Sequence, residues 1–375
     1  MIRLLLVNFS DPTLSGATTT LVEVVKRSRA NGMTVDVLEV LFKGDRGLLG
    51  SFPELRTAVG GYEVVELPFR KGIWGRAFAY LFRNTLLRLL LRQRSSSYDF
   101  VTGFRTRKSV NLIFAVPYIE FPLSRFYMKL ARNSNFVEAA VWLMNLQSHY
   151  RHLRKSSQNV CVGEPLRREL QDRFGITCIA LEPPAGVDGE VAERVKGRRT
   201  GKVYDALHVA RQGPVKGTPD AVEVFKRLRE RGYSRTALVG PVDAGVDIES
   251  LIRGTGISYL GPFQDRSSLY SLFTESRLMV YPSYLDSFGI TVAEALANGV
   301  PVVAYDIPAL RHYFGSCRAV RLVEKGDREA LLRESLNVLE GQDLSEEAEK
   351  CGLKFSWDQV TRSLVQILAG FRTGP

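Results

Sequence analysis

The chain opens on IRLLLVNF (2–9), apolar at nearly every position rather than at every second one. A strand apolar on both faces belongs inside a parallel sheet covered by helices on each side. The turn-rich SDPTLSGATTT (10–20) follows. TLVEVVKRSRANG then has the spacing of a helix and stops at Asn31-Gly32, and MTVDVLEV reads as a second strand. Strand, glycine-containing loop, helix, glycine stop and strand make a βαβ unit.

The pattern restarts in the second half. KVYDALHVARQ (202–212) is a strand with its loop, and TPDAVEVFKRLRERG (218–232) is a helix with Pro at its start and Gly after its end. RTALVG and ISYLG are strands, DRSSLYSLFTES is a helix and RLMVYPS is a strand. The segment between the halves, LEPPAGVDGEVAERVKGRRTG (181–201), is rich in Pro, Gly and charge and reads as the hinge. SWDQVTRSLVQILAGF is a final helix with Ser356 as its cap. The expected fold class is α/β: a first domain over 1–187, a linker over 188–201 and a second domain over 202–357. Two open parallel sheets present the loops after their strands to a cleft, where ligands bind.

Composition agrees with two globular domains: 375 residues, 45% hydrophobic and 24% charged. The opening apolar run is too short, and lacks a small-residue cleavage site, for a signal peptide. No uncharged run approaches the ~20 residues of a membrane span. These features predict a cytoplasmic protein. Cys161, Cys178, Cys317 and Cys351 lie far apart without CxxC spacing, and are expected as unpaired thiols of a reducing compartment. The four histidines do not cluster with cysteines or acids at ligand spacing, so no metal is expected.

Charge changes the picture because it is lopsided. Residues 1–188 hold 26 Lys and Arg against 16 Asp and Glu, a net of +10; the remainder holds 25 against 24, a net of +1. Within 70–108 there are ten basic residues and one acid, Asp99. At helical spacing over 73–94, Phe78, Phe82, Leu86 and Leu89 share one face, Arg76, Arg83 and Arg94 a roughly opposite one, and Arg88 and Arg92 flank them. Two readings stand. Such a helix packs its apolar face on a sheet with Arg in water, or docks peripherally on an anionic membrane surface. Nucleic acid is disfavoured, since no nucleic-acid-reading module is recognisable. The apolar and basic stretch 121–155, with Trp142 and Met144, serves as core or as an acceptor groove.

The candidate chemistry sits in YLDSFGITVAEALANGVPVVA (284–304). Asp286 lies in the loop after a strand, Phe288-Gly289 makes the turn, and ITVAEALAN is a helix carrying Glu294 about one turn in. A helix start offers free N–H groups and a partial positive charge, which suits a phosphate. Glu294 can accept bonds from vicinal ribose hydroxyls and Asp286 from those of another sugar. The plain alternative is a strand, loop and helix with two solvated acids. ARQGPVKGTP (210–219) supplies two cations, Arg211 and Lys216, around a Gly-Pro loop, able to clamp a diphosphate and stabilise it as it leaves.

These stretches together resemble the retaining glycosyltransferases of family 4, with the GT-B fold. The signature is an acid, any residue, Phe-Gly, four residues, Glu-Ala, then Gly-x-Pro-Val-Val; this chain has DSFGITVAEALANGVPVV. PPAGVD (183–188) is similar to the family's interdomain segment, with Ala185 in an Asn position. LVGP (238–241), ISYLGPF (257–263) and FSWDQV follow in the family's order, and NVCVGEPLRREL (159–170) is similar to its late first-domain strand and helix. The resemblance is dense in the second half and covers the first half in outline.

It implies two Rossmann-like parallel-sheet domains facing across a cleft, with the C-terminal helix, about 358–375, crossing back to the first. It implies transfer from a nucleotide-sugar to a glycan or lipid-linked acceptor, with retained anomeric configuration, no cofactor and no metal. Arg211 and Lys216 would bind the diphosphate, Asp286 the donor sugar and Glu294 the ribose. Phe263, Phe288, Gly289, Ile290 and Thr291 would also contact the donor, as would Gly16 in the first-domain loop. The chain departs from the family in three places. Asp286 stands where Glu is usual, Ser15-Gly16 where paired glycines are common, and a first-domain His is missing, with Glu120 as a weak substitute on the acceptor side. The charge of residues 1–188 adds an expected place on the inner face of the cell membrane. The competing functions are a sugar-nucleotide epimerase or phosphorylase on a similar fold, or a non-catalytic protein binding nucleic acid or membrane through its basic half.

Overall fold

In the computed structural model, which describes residues 1–9, 16–70, 89–91, 94–102, 108–113, 151–156, 158–196, 201–243, 245–263 and 265–373, the opening run is strand β1 (Ile2–Phe9). It pairs in parallel with β2 (Met33–Lys43), from Ile2↔Met33 to Phe9↔Val40, and on its other side with β4 (Phe100–Thr102). Ile2, Leu4, Leu5 and Leu6 are all buried, as a strand covered on both faces requires. With β3 (Tyr62–Arg70), β5 (Ser109–Ile113), β6 (Asn159–Val162) and β7 (Ile179–Leu181) they form a seven-stranded sheet, order β3-β2-β1-β4-β5-β6-β7.

The chain divides into two units, Met1–Pro184 with Trp357–Pro375, and Ala185–Ser356. The C-terminal helix Trp357–Thr373 therefore belongs to the first unit. It packs on the helix Gly16–Arg27 and on β7, with Trp357 buried. Phe371 meets the Phe100 ring edge-on at 6.4 Å, and the Ser363 hydroxyl donates to the Glu182 carbonyl at 2.6 Å.

The second unit has a six-stranded parallel sheet of order β10-β9-β8-β11-β12-β13. Its strands are β8 (Ala206–Val209), β9 (Thr236–Val239), β10 (Ser258–Tyr259), β11 (Met279–Tyr281), β12 (Val302–Tyr305) and β13 (Val320–Val323). The chain lays β9 and β10 to one side of β8, then returns to place β11 on the other. β8 and β11 are thus neighbours at the point where strand order reverses, the place where open parallel sheets bind ligands. Behind the helix Ile290–Ala297 lies the helix Ser345–Gly352. The two approach so closely at Gly352 that a Cβ there would stand 2.1 Å from the Ala297 nitrogen and 2.7 Å from the Ala293 carbonyl oxygen.

Two expectations are corrected. The stretch expected as a linker is, over Gly189–Lys196, a helix of the second unit, because Ala192 and Val195 are buried and the helix packs on Arg266–Thr274. The four cysteines are not free thiols: Cys161 bonds Cys178 and Cys317 bonds Cys351, with Cα–Cα distances of 5.9 and 6.0 Å. Cys161 lies on β6, opposite Ala180 of β7, and the helix Glu164–Phe174 between the strands carries the chain back to bring Cys178 beside it. Pairing through a folded crossover leaves no mark in sequence spacing.

Most of 73–94, Glu120 and 121–150 lie outside the described residues. No helix among the described residues is long and apolar enough to cross a membrane. The disulfide pairing predicts that alkylation after denaturation without reductant labels none of the four cysteines, and with reductant all four. Intact-mass measurement reads this directly, and labelling without reductant would overturn the pairing.

Candidate active site

The loop after β8 carries Arg211, passes through the short 3₁₀ turn Pro214–Lys216, and enters the helix Thr218–Glu230. A buried polar network lies beneath it. The Gly213 N–H donates to the Thr218 hydroxyl at 2.8 Å, and that hydroxyl lies 3.3 Å from Gln212 Oε1 and 3.5 Å from His208 Nε2. Gln212 Nε2 donates to the carbonyls of Ala210 and Val239. His208 Nδ1 is 3.0 Å from the Val280 carbonyl, so the proton belongs on Nδ1 and Nε2 is the acceptor. Complete burial, with Lys216 nearby, lowers the His208 pKa to about 4 against the hydrogen bond to Val280. A neutral ring therefore supports the loop at neutral pH.

The loop after β11 lies against the first. Gly217 has φ 70°, and a Cβ on it would stand 1.9 Å from the Pro282 carbonyl oxygen, so only glycine fits. The Tyr284 N–H donates to the Val215 carbonyl at 3.0 Å. Lys216 Nζ then reaches across to Asp286 Oδ2 at 2.7 Å and to the Leu285 carbonyl at 2.9 Å. Asp286 is bonded at both oxygens. Oδ2 also accepts from the Tyr281 hydroxyl at 2.5 Å, and Oδ1 from the N–H groups of Phe288 and Gly289 at 3.2 and 3.0 Å. Burial alone would raise the Asp286 pKa, but Lys216, Tyr281 and the Phe288 N–H hold it below the usual carboxylate value. Burial alone would lower the Lys216 pKa, but Asp286 and Tyr281 outweigh it and raise it. Both groups stay charged through the neutral range.

Gly289, at φ 94°, caps the helix Ile290–Ala297. Phe288 turns its ring inward onto Tyr313, Phe314 and Phe355, leaving its backbone at the loop. Glu294 is 4% exposed and ion-paired with Arg266, with the Tyr270 hydroxyl 3.4 Å from Oε1. On the other flank Arg211 Nε lies 3.6 Å from Asp243 Oδ1. Burial pushes the Asp243 carboxyl up while Arg211 and Lys216 pull against it.

The structure thus gathers Lys216 and Asp286 in direct contact, with Arg211 on the same loop as Lys216, and Ile290, Thr291 and Glu294 on the helix that follows. Phe263 lies in the loop after β10, just before the Asp265-capped helix that supplies Arg266. Gly16 belongs to the first unit, where it opens the helix Gly16–Arg27 and accepts from the Thr20 hydroxyl at 3.0 Å. Glu120 lies outside the described residues. Neither Asp286 nor Glu294 is a solvated acid. Sequence reading missed Tyr281, Arg266, Tyr270, Asp243 and the His208–Thr218–Gln212 network. Each is an ordinary residue of a strand, loop or helix in the linear pattern and gains its role only through sheet order.

Residues 191–354 match the family model described as glycosyl transferases group 1. O-antigen chain mannosyltransferase B of Escherichia coli is 31% identical over 171 residues, 43% of this chain and 44% of that protein. D-inositol 3-phosphate glycosyltransferase of Salinispora arenicola is 27% identical over 226 residues, 55% of this chain and 50% of that protein. The matches therefore span half or less of these curated relatives. Among solved structures, Anabaena HepE in complex with UDP has a TM-score of 0.69 at 16% identity, covering 99% of this chain and 100% of that one. WaaG, a glycosyltransferase of lipopolysaccharide biosynthesis, has a TM-score of 0.69 at 17% identity with 100% of both chains covered. These likenesses establish the fold, GT-B.

His208 makes stability depend on pH. Its pKa is 6.5 in an unperturbed chain and about 4 when folded. Between those values the unfolded chain binds the extra proton, so the contribution is full above the upper value and is lost as pH falls toward the lower, by about 3 kcal/mol. Urea unfolding of His208→Gln should show a smaller loss between neutral pH and pH about 4.5 than the parent protein. An equal loss would assign the acid sensitivity elsewhere.

Proposed function

We propose that this chain, whose residues 191–354 match the family model of glycosyl transferases group 1, is a retaining, metal-independent glycosyltransferase that moves a sugar from a nucleotide-sugar to a glycan or lipid-linked acceptor. The observation that carries the reading is the Lys216–Asp286 pair, held at 2.7 Å between the loops after β8 and β11, in front of the helix that bears Glu294. Glycosyl transfer breaks the bond from the anomeric carbon to a diphosphate oxygen, and the electron pair stays on the diphosphate. The acceptor oxygen forms the new bond and passes its proton to the departing diphosphate oxygen, through an oxocarbenium-like state. Negative charge therefore grows on the leaving diphosphate. Lys216, Arg211 and the first N–H groups of the helix can stabilise it there, as preorganised charge does best.

The residues divide the donor between them. Glu294, fixed by Arg266 and Tyr270, presents a carboxylate for the ribose hydroxyls. Phe288 and Gly289 already give their N–H groups to Asp286, which leaves those of Ile290 and Thr291 for phosphate oxygens. Asp286 differs from a freely offered acid. It accepts four bonds, as many as a carboxylate ordinarily takes. To bind a donor hydroxyl it must share or release one of them. The net +10 of residues 1–188 supports an anionic membrane surface as the place where the acceptor is met.

Thermal shift with UDP-, GDP- and ADP-sugars tests the reading, since a ligand of the native state raises apparent stability. One donor class should raise the Tm of the parent protein, and no shift with any of them would count against it. Lys216→Ala and Arg211→Ala should each lower turnover of that donor by about a hundred-fold. Parental turnover in both would remove them from the site. Activity should survive EDTA, and complete loss rescued by a divalent ion would overturn the metal-free mechanism. For the membrane, salt-sensitive co-sedimentation with anionic but not neutral vesicles is expected. A protein left in the supernatant at low salt would point to a soluble acceptor.

A further inference from the structure

Asp220 is an acid in the first turn of the helix Thr218–Glu230, where a carboxylate would serve merely to suit the helix dipole. It is instead 2% exposed and bonded by three side chains from three other parts of the unit. The Tyr284 hydroxyl donates to Oδ2 at 2.6 Å and the Tyr305 hydroxyl to the same oxygen at 2.9 Å. Arg328 donates from Nε to Oδ1 at 2.7 Å, with Nη2 2.6 Å from that oxygen. The two tyrosine rings meet edge-on at 5.3 Å.

The placement of these partners is unequal. Tyr305 ends β12 and Arg328 opens the helix Arg328–Glu340, so both are framework. Tyr284 lies on the loop after β11, two residues before Asp286, while Asp220 lies four residues after Lys216. The Tyr284–Asp220 bond therefore ties the stretch bearing the anion to the stretch bearing the cation. It is the side-chain counterpart of the Tyr284 N–H to Val215 carbonyl bond.

We infer that Asp220 is a positioning residue that, through Tyr284, holds the Asp286 loop against Lys216, with Tyr305 and Arg328 fixing Asp220 itself. The inference rests on the reading of Lys216 and Asp286 as the donor-site pair. It adds that their geometry is set from a carboxylate that touches neither of them. A free carboxylate at the site would compete with the donor, whereas one buried behind it can orient the loop without repelling a diphosphate.

Two single-atom deletions separate positioning from ordinary stability. Tyr284→Phe and Tyr305→Phe each remove one hydroxyl from the same Asp220 oxygen and should shift Tm by similar amounts. Only the first lies on the Asp286 loop. Lys216 reports the outcome without any sugar donor, because Asp286 keeps it protonated and shielded from acylation. Trace labelling with acetic anhydride at one fixed pH, read by mass spectrometry at Lys216, should rise about ten-fold in Tyr284→Phe as the Asp286 carboxylate loosens its hold on the ammonium. Asp220→Asn should show a rise too, and Tyr305→Phe should stay at the parental rate. Unchanged labelling in Tyr284→Phe, or an equal rise in Tyr305→Phe, would overturn the positioning role. Calorimetry of Lys216→Ala with UDP and GDP tests the underlying reading separately. Undiminished binding of the nucleotide that the parent protein binds would overturn the donor-site assignment and leave the labelling result standing.

Discussion

Among the described residues of the second unit, the loops after β8 and β11 are joined by one ion pair. Lys216 and Asp286 are partly buried, and removing charges from water is costly unless each finds its full set of partners. Here they do. The carboxylate accepts from an ammonium, a phenol and two backbone N–H groups, and the ammonium also donates to the Leu285 carbonyl. The pair is thus a fixed dipole before any ligand arrives. Catalysis of group transfer gains most from charges already in place, because no reorganisation is then required as charge develops.

That constraint explains features that look unrelated. β8 and β11 must be neighbours for their loops to meet, which is what the return of the chain across the sheet accomplishes. Gly217 must lack a side chain for the loops to touch at Pro282. The neutral His208, Thr218 and Gln212 satisfy the buried backbone beneath the first loop, where an unpaired polar group would be costly. Phe288 anchors the second loop by its ring in an aromatic cluster, which frees its N–H to face Asp286.

Most of this architecture could be read from the chain before any coordinates. The continuous apolar runs announced parallel strands, and Phe288-Gly289 with Glu294 announced a strand, turn and helix. What local pattern could not show is contact between distant segments. Asp220, Tyr284 and Arg266 have no distinctive spacing, and their roles depend on which strands lie side by side. The linker was misread for a related reason: Gly and Pro around 183–189 mask a short amphipathic helix whose apolar face, Ala192 and Val195, is too small to stand out. The cysteine pairs were hidden because each joins elements brought together only by folding.

The close approach at Gly352 bears on how such a domain can diversify. The helix carrying Glu294 has another helix at its back with no room for a methyl group, since a Cβ at Gly352 would collide with the backbone at Ala297 and Ala293. A side chain at Gly352 would force the two helices apart and shift Glu294 and the turn at Gly289 with the helix that carries them. A rear wall of this kind turns a packing detail into a filter on substitution: the place of Glu294 is defended from behind by backbone, which cannot repack as a side chain can.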